Sequence, residues 1–398
     1  MNIVIHDYGG YAFILKLGRE LAKRGHYITY IYSSSNSTTP KGNVSIGADK
    51  DNQFNITEIK LPREIQKTSF FDRWKLENLY GKLVLKELEK INPELVISAN
   101  SPLDAQHKIT HYCKQQSIPF VFWMQDIISA AIKSVLTSKM SMLGQIIGNY
   151  YEHIERKLLK LSDHIIVISS DFENFLYKAN VERSKWTVIP NWASIDEIIP
   201  VEKNNAWSKE NNLDNKFVFL YSGTLGFKHD PNILLELASY MSRYPDVKVV
   251  VNSQGQAANW LLNKIKENNL DTLTVNPFQP YQDISNVLGA ADVLVAILQP
   301  EASDYSVPSK VLSYFCAKRP VLLSASPNNL MSKVLTEHNI GLVNDPTNAD
   351  QFIKNAESLY KNHDMKSEMA NNAIAYANNH FKMNKITDDF ETIFIGLM

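Results

Sequence analysis

Short apolar runs alternate along this chain with longer stretches in which apolar residues recur every three or four positions. Ile3–Ile5 has the length of a buried strand, and Phe13, Leu17 and Leu21 then recur at helical spacing. This predicts a helix over 11–24, ended by Gly25. Further strands are expected at 27–32, 94–98, 119–123 and 164–169, with helices over 103–116 and 144–161. Near Pro190 the texture changes, and Asn191-Trp192-Ala193-Ser194 leads into a polar stretch over 202–215. Strands at 217–222, 248–252, 272–276, 293–298 and 321–324 follow, with helices between them, the first over 231–244. Strands alternating with helices imply βαβ units and parallel sheets. The expected fold class is therefore α/β, with two Rossmann-like doubly wound domains over 1–195 and 196–382. Ligands of such sheets bind beyond the carboxyl ends of the strands, and two sheets facing each other would bring those ends to one cleft.

Charge and cysteine content narrow the function. The 398 residues carry 41 Lys+Arg against 42 Asp+Glu, a formal net charge of −1, which excludes an overall polybasic grip on nucleic acid. Cys113 and Cys316 are the two cysteines, too few for a disulfide framework or a cysteine-based metal site, as expected in a reducing cytoplasm. No run approaches about 18 consecutive apolar residues. The start, Met1-Asn2-Ile3-Val4-Ile5, reads as a strand rather than a signal segment.

Four loops after predicted strands could carry chemistry. In His6-Asp7-Tyr8-Gly9-Gly10-Tyr11, two glycines before a helix let backbone approach a ligand, and the helix start favours an anion; a tight βα turn is the competing account. Asp126, after Met124-Gln125, could accept sugar hydroxyls or cap the next helix. In Tyr221-Ser222-Gly223-Thr224-Leu225-Gly226-Phe227-Lys228, backbone N–H groups and a cation would suit a diphosphate without metal. The fourth loop, from Glu301 through Asp304, Tyr305 and Ser306, runs into Pro308-Ser309-Lys310. There Lys310 opposes the dipole of the helix it opens, which makes sense beside an anion. His164 at a strand start is expected to pack at a sheet edge, and Asp292 to cap or form a salt bridge.

Taken in order, these pieces resemble the family-4 retaining glycosyltransferases of GT-B architecture. The resemblance rests on Gly9-Gly10, Leu21-Ala22-Lys23-Arg24-Gly25-His26, Val188-Ile189-Pro190-Asn191-Trp192 and Tyr221-Ser222-Gly223-Thr224-Leu225-Gly226. It continues through Leu288-Gly289-Ala290-Ala291-Asp292-Val293 and Pro308-Ser309-Lys310 to Pro320-Val321. The bacterial surface-polysaccharide branch, O-antigen and capsule, is the most similar. Three departures stand out: Tyr305 and Ser313 occupy the positions of the family's Glu-x7-Glu pair, Gly223-Thr224 stands where the phosphate loop often has Gly-Arg, and Ala317-Lys318-Arg319 replaces Ala-Gly before Pro-Val.

The resemblance implies a metal-independent, retaining transfer of a sugar from a nucleotide-diphosphate donor, UDP favoured, with no cofactor. The implied acceptor is a polyprenyl-diphosphate-linked saccharide. Asp126, Lys228 and Lys310 would be catalytic. Gly223, Thr224, Leu225, Gly226, Asp304, Tyr305, Ser306, Ser309 and Ser313 would hold the donor, and Gly9, Gly10 and Tyr11 the acceptor. A C-terminal helix at about 383–398 would pack back onto the first domain. A nucleotide-sugar 2-epimerase of the same fold, or a non-catalytic nucleotide-sugar-binding partner, are the alternatives. Finally, apolar residues interleaved with Lys133 and Lys139 over 127–160 predict an interfacial helix, bringing the protein to the inner face of the cytoplasmic membrane.

Overall fold

A computed structural model describes residues 1–35, 41–42, 53–64, 70–99, 101–226, 229–303 and 306–398. The chain divides into two compact units, Met1–Pro190 with Lys382–Met398, and Asn191–Phe381.

In unit 1, seven described strands form one sheet: β1 (Asn2–Asp7), β2 (Tyr27–Ser33), β3 (Phe54–Ile59), β4 (Leu95–Ala99), β5 (Phe120–Met124), β6 (His164–Val167) and β7 (Trp186–Val188). Their order is β3-β2-β1-β4-β5-β6-β7, all parallel. The helices are α1 (Ala12–Lys23), α2 (Phe70–Ile91), α3 (Leu103–Gln116), α4 (Ile128–Leu161) and α5 (Glu173–Lys178). Ile3, Val4, Ile5, Val96, Ile97, Val121, Ile165 and Ile166 are fully buried, the mark of central strands covered on both faces.

Unit 2 has a sheet of six described strands: β8 (Phe217–Ser222), β9 (Val247–Asn252), β10 (Leu273–Asn276), β11 (Val293–Ile297), β12 (Val321–Ser324) and β13 (Gly341–Asn344). The order β10-β9-β8-β11-β12-β13 is again parallel throughout. Its helices are α6 (Ala206–Glu210), α7 (Asn232–Met241), α8 (Gln256–Asn268), α9 (Ile284–Gly289), α10 (Pro300–Ser303), α11 (Lys310–Cys316), α12 (Leu330–Glu337), α13 (Ala349–Lys361) and α14 (His363–His380). One core joins Phe219, Val249, Val251 and Val295 of the strands to Leu234, Leu237 and Met241 of α7 and Phe352 and Leu359 of α13. The last helix, α15 (Met383–Gly396), belongs to unit 1: Phe390 packs edge-on against Trp123 at 4.8 Å, and Arg24 pairs with Asp388 at 2.6 Å and with Glu391.

Three of the strands that periodicity does not predict, β3, β7 and β13, are edge strands. An edge strand lacks one neighbour, so its sequence is shorter or more polar: Phe-Asn-Ile-Thr-Glu-Ile, Trp-Thr-Val and Gly-Leu-Val-Asn. His164 lies not at an edge but between β5 and β7, where its Nε2 meets the Thr187 hydroxyl at 3.0 Å. Asp292 does form a salt bridge, with Lys203, and also accepts the Val218 N–H at 2.8 Å.

The helix expected over 144–161 is present as the second arm of α4, but the single interfacial helix expected over 127–160 is instead a helical hairpin. The chain reverses at Ser141 (φ 43°, ψ −115°). In a continuous helix Ser129 and Glu155 would be about 39 Å apart; here the Ser129 hydroxyl donates to Glu155 at 2.5 Å. Two glycines let the arms touch. A Cβ on Gly144 would overlap the Leu136 carbonyl, and one on Gly148 would lie 2.6 Å from Lys133 Cγ. Leu136, Tyr151 and Leu158 face inward, leaving Met142, Leu143 and Ile146 exposed near the turn.

Candidate functional site

Each sheet reverses its winding once, between β8 and β11 in unit 2 and between β1 and β4 in unit 1. Such switch points are where strand ends part and ligands enter.

In unit 2, β8 and β11 pair only through Phe219↔Val293 and Leu220↔Leu294. Beyond that pairing the hydroxyl of Tyr314, on α11, joins the strands. It accepts the Ser222 N–H at 3.2 Å and lies 3.2 Å from the carbonyls of Ser222 and Val295. β8 then turns at Gly223 (φ 130°), a backbone conformation that favours glycine. The Tyr221 hydroxyl donates to the Thr224 carbonyl at 2.6 Å. Two of the loop's N–H groups, expected to be open to a diphosphate, are used within the protein: Gly223 N donates to Asn252 O at 3.0 Å, and Gly226 N to His229 Nδ1 at 3.0 Å. That bond places the His229 proton on Nε2. Leu225 is buried in the core beside the loop.

Lys310 reaches back from α11 to this loop. Its ammonium lies over the Tyr221 ring at 3.5 Å, 3.4 Å from the Thr224 carbonyl, and a Cβ on Gly223 would stand 3.5 Å from its Nζ. The ring and carbonyl compensate part of the unfavourable helix dipole. Burial nevertheless pushes the Lys310 ammonium well below the ordinary lysine range. A cation held this way gains from an anion more than an exposed lysine would.

The other expected donor residues are more dispersed. Ser306 is buried, its carbonyl accepting Asn329 Nδ2 at 2.8 Å; Ser309 is exposed ahead of α11; Ser313 is half-buried on α11. Lys228, Asp304 and Tyr305 lie outside the described residues. Lys318, at the usual glycine position, takes φ 54°, and Arg319 next to it donates to the carbonyls of Gly289 (2.7 Å), Ala291 (2.6 Å) and Val201 (3.0 Å). Arg319 thus ties the end of α9 to the start of β12.

In unit 1 the first loop is organised by Asp7. This fully buried carboxylate accepts the N–H groups of Gly9 (3.1 Å) and Tyr11 (2.6 Å) and the Tyr30 hydroxyl (2.6 Å), while Gly10 N donates to the Asp7 carbonyl at 3.3 Å. The negative charge expected of a ligand at the start of α1 is therefore supplied by the protein itself. Gly10 takes φ 75°, and the Tyr11 ring lies where a Cβ on Gly9 would be.

Behind this loop is a polar group of side chains the sequence reading missed. Buried His6 meets Ser98 Oγ through Nδ1 (2.7 Å) and the Tyr80 hydroxyl through Nε2 (2.9 Å), and Ser98 donates to Gln106 at 2.6 Å. Ser98 has one proton, so His6 Nδ1 carries the hydrogen and Nε2 accepts from Tyr80. Burial lowers the His6 pKa to about 3, keeping the ring neutral. The Tyr8 ring stands edge-on to Tyr80 at 4.8 Å. Arg73 pairs with Glu77 at 2.6 Å, and the Tyr151 hydroxyl donates to Asp104 at 2.7 Å. Burial raises the Glu77 carboxyl, with Arg73 opposing it. The available signal was Leu76, Tyr80, Val84 and Leu88, a buried stripe at four-residue spacing that marks α2 as a helix.

Asp126 is half-buried after β5. The capping role weighed for it is performed by Glu155, which accepts the N–H groups of Ile128 and Ser129, each at 3.1 Å. Burial raises the Glu155 carboxyl to about 7.

Among the described residues, no group of three or more His, Cys, Asp or Glu side chains is placed to hold a metal ion, and no helix is long and apolar enough to cross a membrane.

Comparison with known proteins places these halves. Residues 9–197 match the family model Glycosyltransferase Family 4, and residues 203–377 match Glycosyl transferases group 1. WcaI of Escherichia coli K12, a glycosyl transferase named for colanic acid biosynthesis, is 25% identical over 174 residues; the match spans 43% of this chain and 42% of that protein's length. Among solved structures, Anabaena HepE in complex with UDP and glucose superposes with a TM-score of 0.72 at 14% identity, covering 99% of both chains. Sucrose-phosphate synthase of Thermosynechococcus elongatus gives 0.73 at 14% identity, covering 99% of this chain and 98% of that one. WaaG, a glycosyltransferase involved in lipopolysaccharide biosynthesis, gives 0.70 at 15%, covering 97% and 98%. These structural likenesses speak to the fold, and nothing in the comparisons favours an epimerase. With both halves matched to glycosyltransferase models and both sheets wound as that architecture requires, the chain belongs to the family-4 glycosyltransferases of GT-B fold.

Proposed function

We propose that this glycosyltransferase moves a sugar, an N-acetylated amino sugar being one candidate, from a UDP-linked donor to a polyprenyl-diphosphate-linked saccharide in bacterial O-antigen or capsule biosynthesis. The observation that carries the donor side is Lys310, a desolvated cation set beside Gly223 and Thr224 at the switch point of unit 2. As the bond from the sugar's anomeric carbon to the phosphate oxygen breaks, negative charge grows on the diphosphate. A preorganised ammonium stabilises that charge more than it stabilises the bound ground state. Lys228 is proposed as a second cation, with Asp304, Tyr305, Ser306, Ser309 and Ser313 orienting the nucleotide sugar. The acceptor hydroxyl attacks the face the phosphate is vacating, and its proton passes to the departing phosphate oxygen. Configuration is retained, and no metal, cofactor or separate base is needed.

The acceptor side is assigned to unit 1, around Gly9, Gly10, Tyr11 and Asp126. HepE's complexes with UDP and with UDP-glucose support the donor class, and the WcaI match supports the pathway. The lipid tail of such an acceptor stays in the bilayer. The exposed Met142, Leu143 and Ile146 near the hairpin turn are therefore proposed to contact the inner face of the cytoplasmic membrane. Thermal denaturation with UDP, GDP, CDP and dTDP tests the reading, because a ligand bound to the native state alone raises the midpoint. UDP is expected to give the largest rise. No rise with any of the four would reject the donor site.

A further inference from the structure

The switch point of unit 1 carries side chains that neither the fold nor the first loop uses. Tyr8 follows the last residue of β1, Asp104 lies in the first turn of α3 just after β4, and Arg73 and Glu77 come from α2. The end of β1 and two helices, α2 and α3, thus supply side chains to the position where the general rule for wound sheets places a ligand.

Tyr8 is the unusual member. The residue is 7% exposed, and its hydroxyl has no hydrogen-bond partner among the described residues. A buried unpaired hydroxyl is costly, so it calls for a reason. The hydroxyl lies within the electrostatic reach of Glu77 and Arg73. The ring is fixed against Tyr80, which the His6–Ser98–Gln106 chain holds in turn. Solvent reaches this group at Arg73, whose side chain is 47% exposed, while Glu77 is 9% exposed. Tyr8 therefore presents a donor, and Glu77 and Asp104 present acceptors, around aromatic carbon.

Two carboxylates against one guanidinium suit hydroxyl groups and disfavour a diphosphate. We propose that Tyr8, Arg73, Glu77 and Asp104 form a binding site for a sugar ring of the acceptor, recognised through its hydroxyls rather than through its diphosphate. This rests on the reading that unit 1 takes the acceptor. Tyr151, donating to Asp104, positions that carboxylate.

The test is direct sugar binding. Methyl glycosides of glucose, galactose, mannose, N-acetylglucosamine and rhamnose would be titrated by saturation-transfer NMR into the full chain with UDP in excess. Tyr8→Phe is the informative variant, because removing an unpartnered hydroxyl should leave the denaturation midpoint unchanged or raise it. At least one glycoside should bind the parent protein. In Tyr8→Phe its affinity should fall several-fold, up to about tenfold, as expected for one neutral hydrogen bond. Glu77→Gln and Asp104→Asn should weaken it further. Three results would overturn the proposal: no glycoside bound by the parent protein, affinity unchanged in Tyr8→Phe and Glu77→Gln, or inorganic pyrophosphate bound instead and lost in Arg73→Gln. The midpoint rise with UDP, followed in the same variants, reports on unit 2 alone, so loss of the donor reading and loss of this one are distinguishable.

Discussion

Lys310 shows how one residue's environment sets its chemistry. Its ammonium has a ring and a carbonyl for company, and burial lowers its proton affinity well below that of an ordinary lysine. Free protein should therefore gain stability as pH rises from the folded toward the unfolded pKa of this group, because over that range only the unfolded chain holds the proton. Diphosphate binding runs the other way. In the proposed function the anion pairs with the ammonium, so above about pH 7, where a terminal phosphate is fully ionised, UDP affinity should weaken as pH rises. Lys310→Ala should flatten that profile in calorimetric titrations and lower transfer by on the order of 10²-fold, the usual loss for one transition-state stabiliser. A variant with parental turnover and the parental pH profile would remove Lys310 from the site.

At the scale of elements, the α4 hairpin combines three devices: a reversal at Ser141, glycines at 144 and 148 that let the arms touch, and Glu155 capping the opposite arm. Glu155 makes the hairpin pH-sensitive. Between the ordinary value of 4.5 and about 7 the folded protein holds a proton that the unfolded chain releases, so stability falls as pH rises across that window. His6, neutral in the folded chain where the unfolded chain is still protonated, contributes the opposite slope below its ordinary value of 6.5. The reading is therefore a difference: urea midpoints of the parent minus those of Glu155→Gln should fall as pH rises from 4.5 to 7.5. A difference that does not change with pH would show that Glu155 does not carry the effect. The exposed apolar residues near the turn are a separate matter. Flotation with anionic liposomes should recover the protein at low salt and less of it at high salt, and Met142, Leu143 and Ile146 all changed to Ser should prevent recovery. Equal recovery of parent and variant would leave this surface without a membrane role.

For the whole molecule, both sheets obey one rule, a single reversal of winding with chemistry-bearing residues just beyond it. The two ends are unlike in charge. In unit 2 a lysine faces a glycine turn, whereas in unit 1 carboxylates and hydroxyls gather behind a loop already neutralised by Asp7. With lysines assigned to the diphosphate, transfer should persist in excess chelator. Activity lost with EDTA and restored by Mg²⁺ or Mn²⁺ would show that the cation set is incomplete without metal.

The central strands were legible from sequence because each is a continuous apolar run buried on both faces, as in Val293–Ile297 and Leu95–Ala99. The ordered loop motifs, from Gly9-Gly10 to Pro308-Ser309-Lys310, likewise carried the family and its reaction class. Edge strands such as Phe54–Ile59 did not stand out, since losing one neighbour relaxes the demand for apolar residues. Tertiary structure alone decided where side chains go. Asp7 reads as one more loop residue until it takes the N–H groups of Gly9 and Tyr11, and Glu155 reads as an ordinary helix carboxylate until the chain folds back at Ser141. Tyr8, Arg73, Glu77 and Asp104 span nearly a hundred positions, and no local pattern links them. Their common site exists because parallel strands send successive loops to one end of the sheet, a consequence of topology rather than of spacing along the chain.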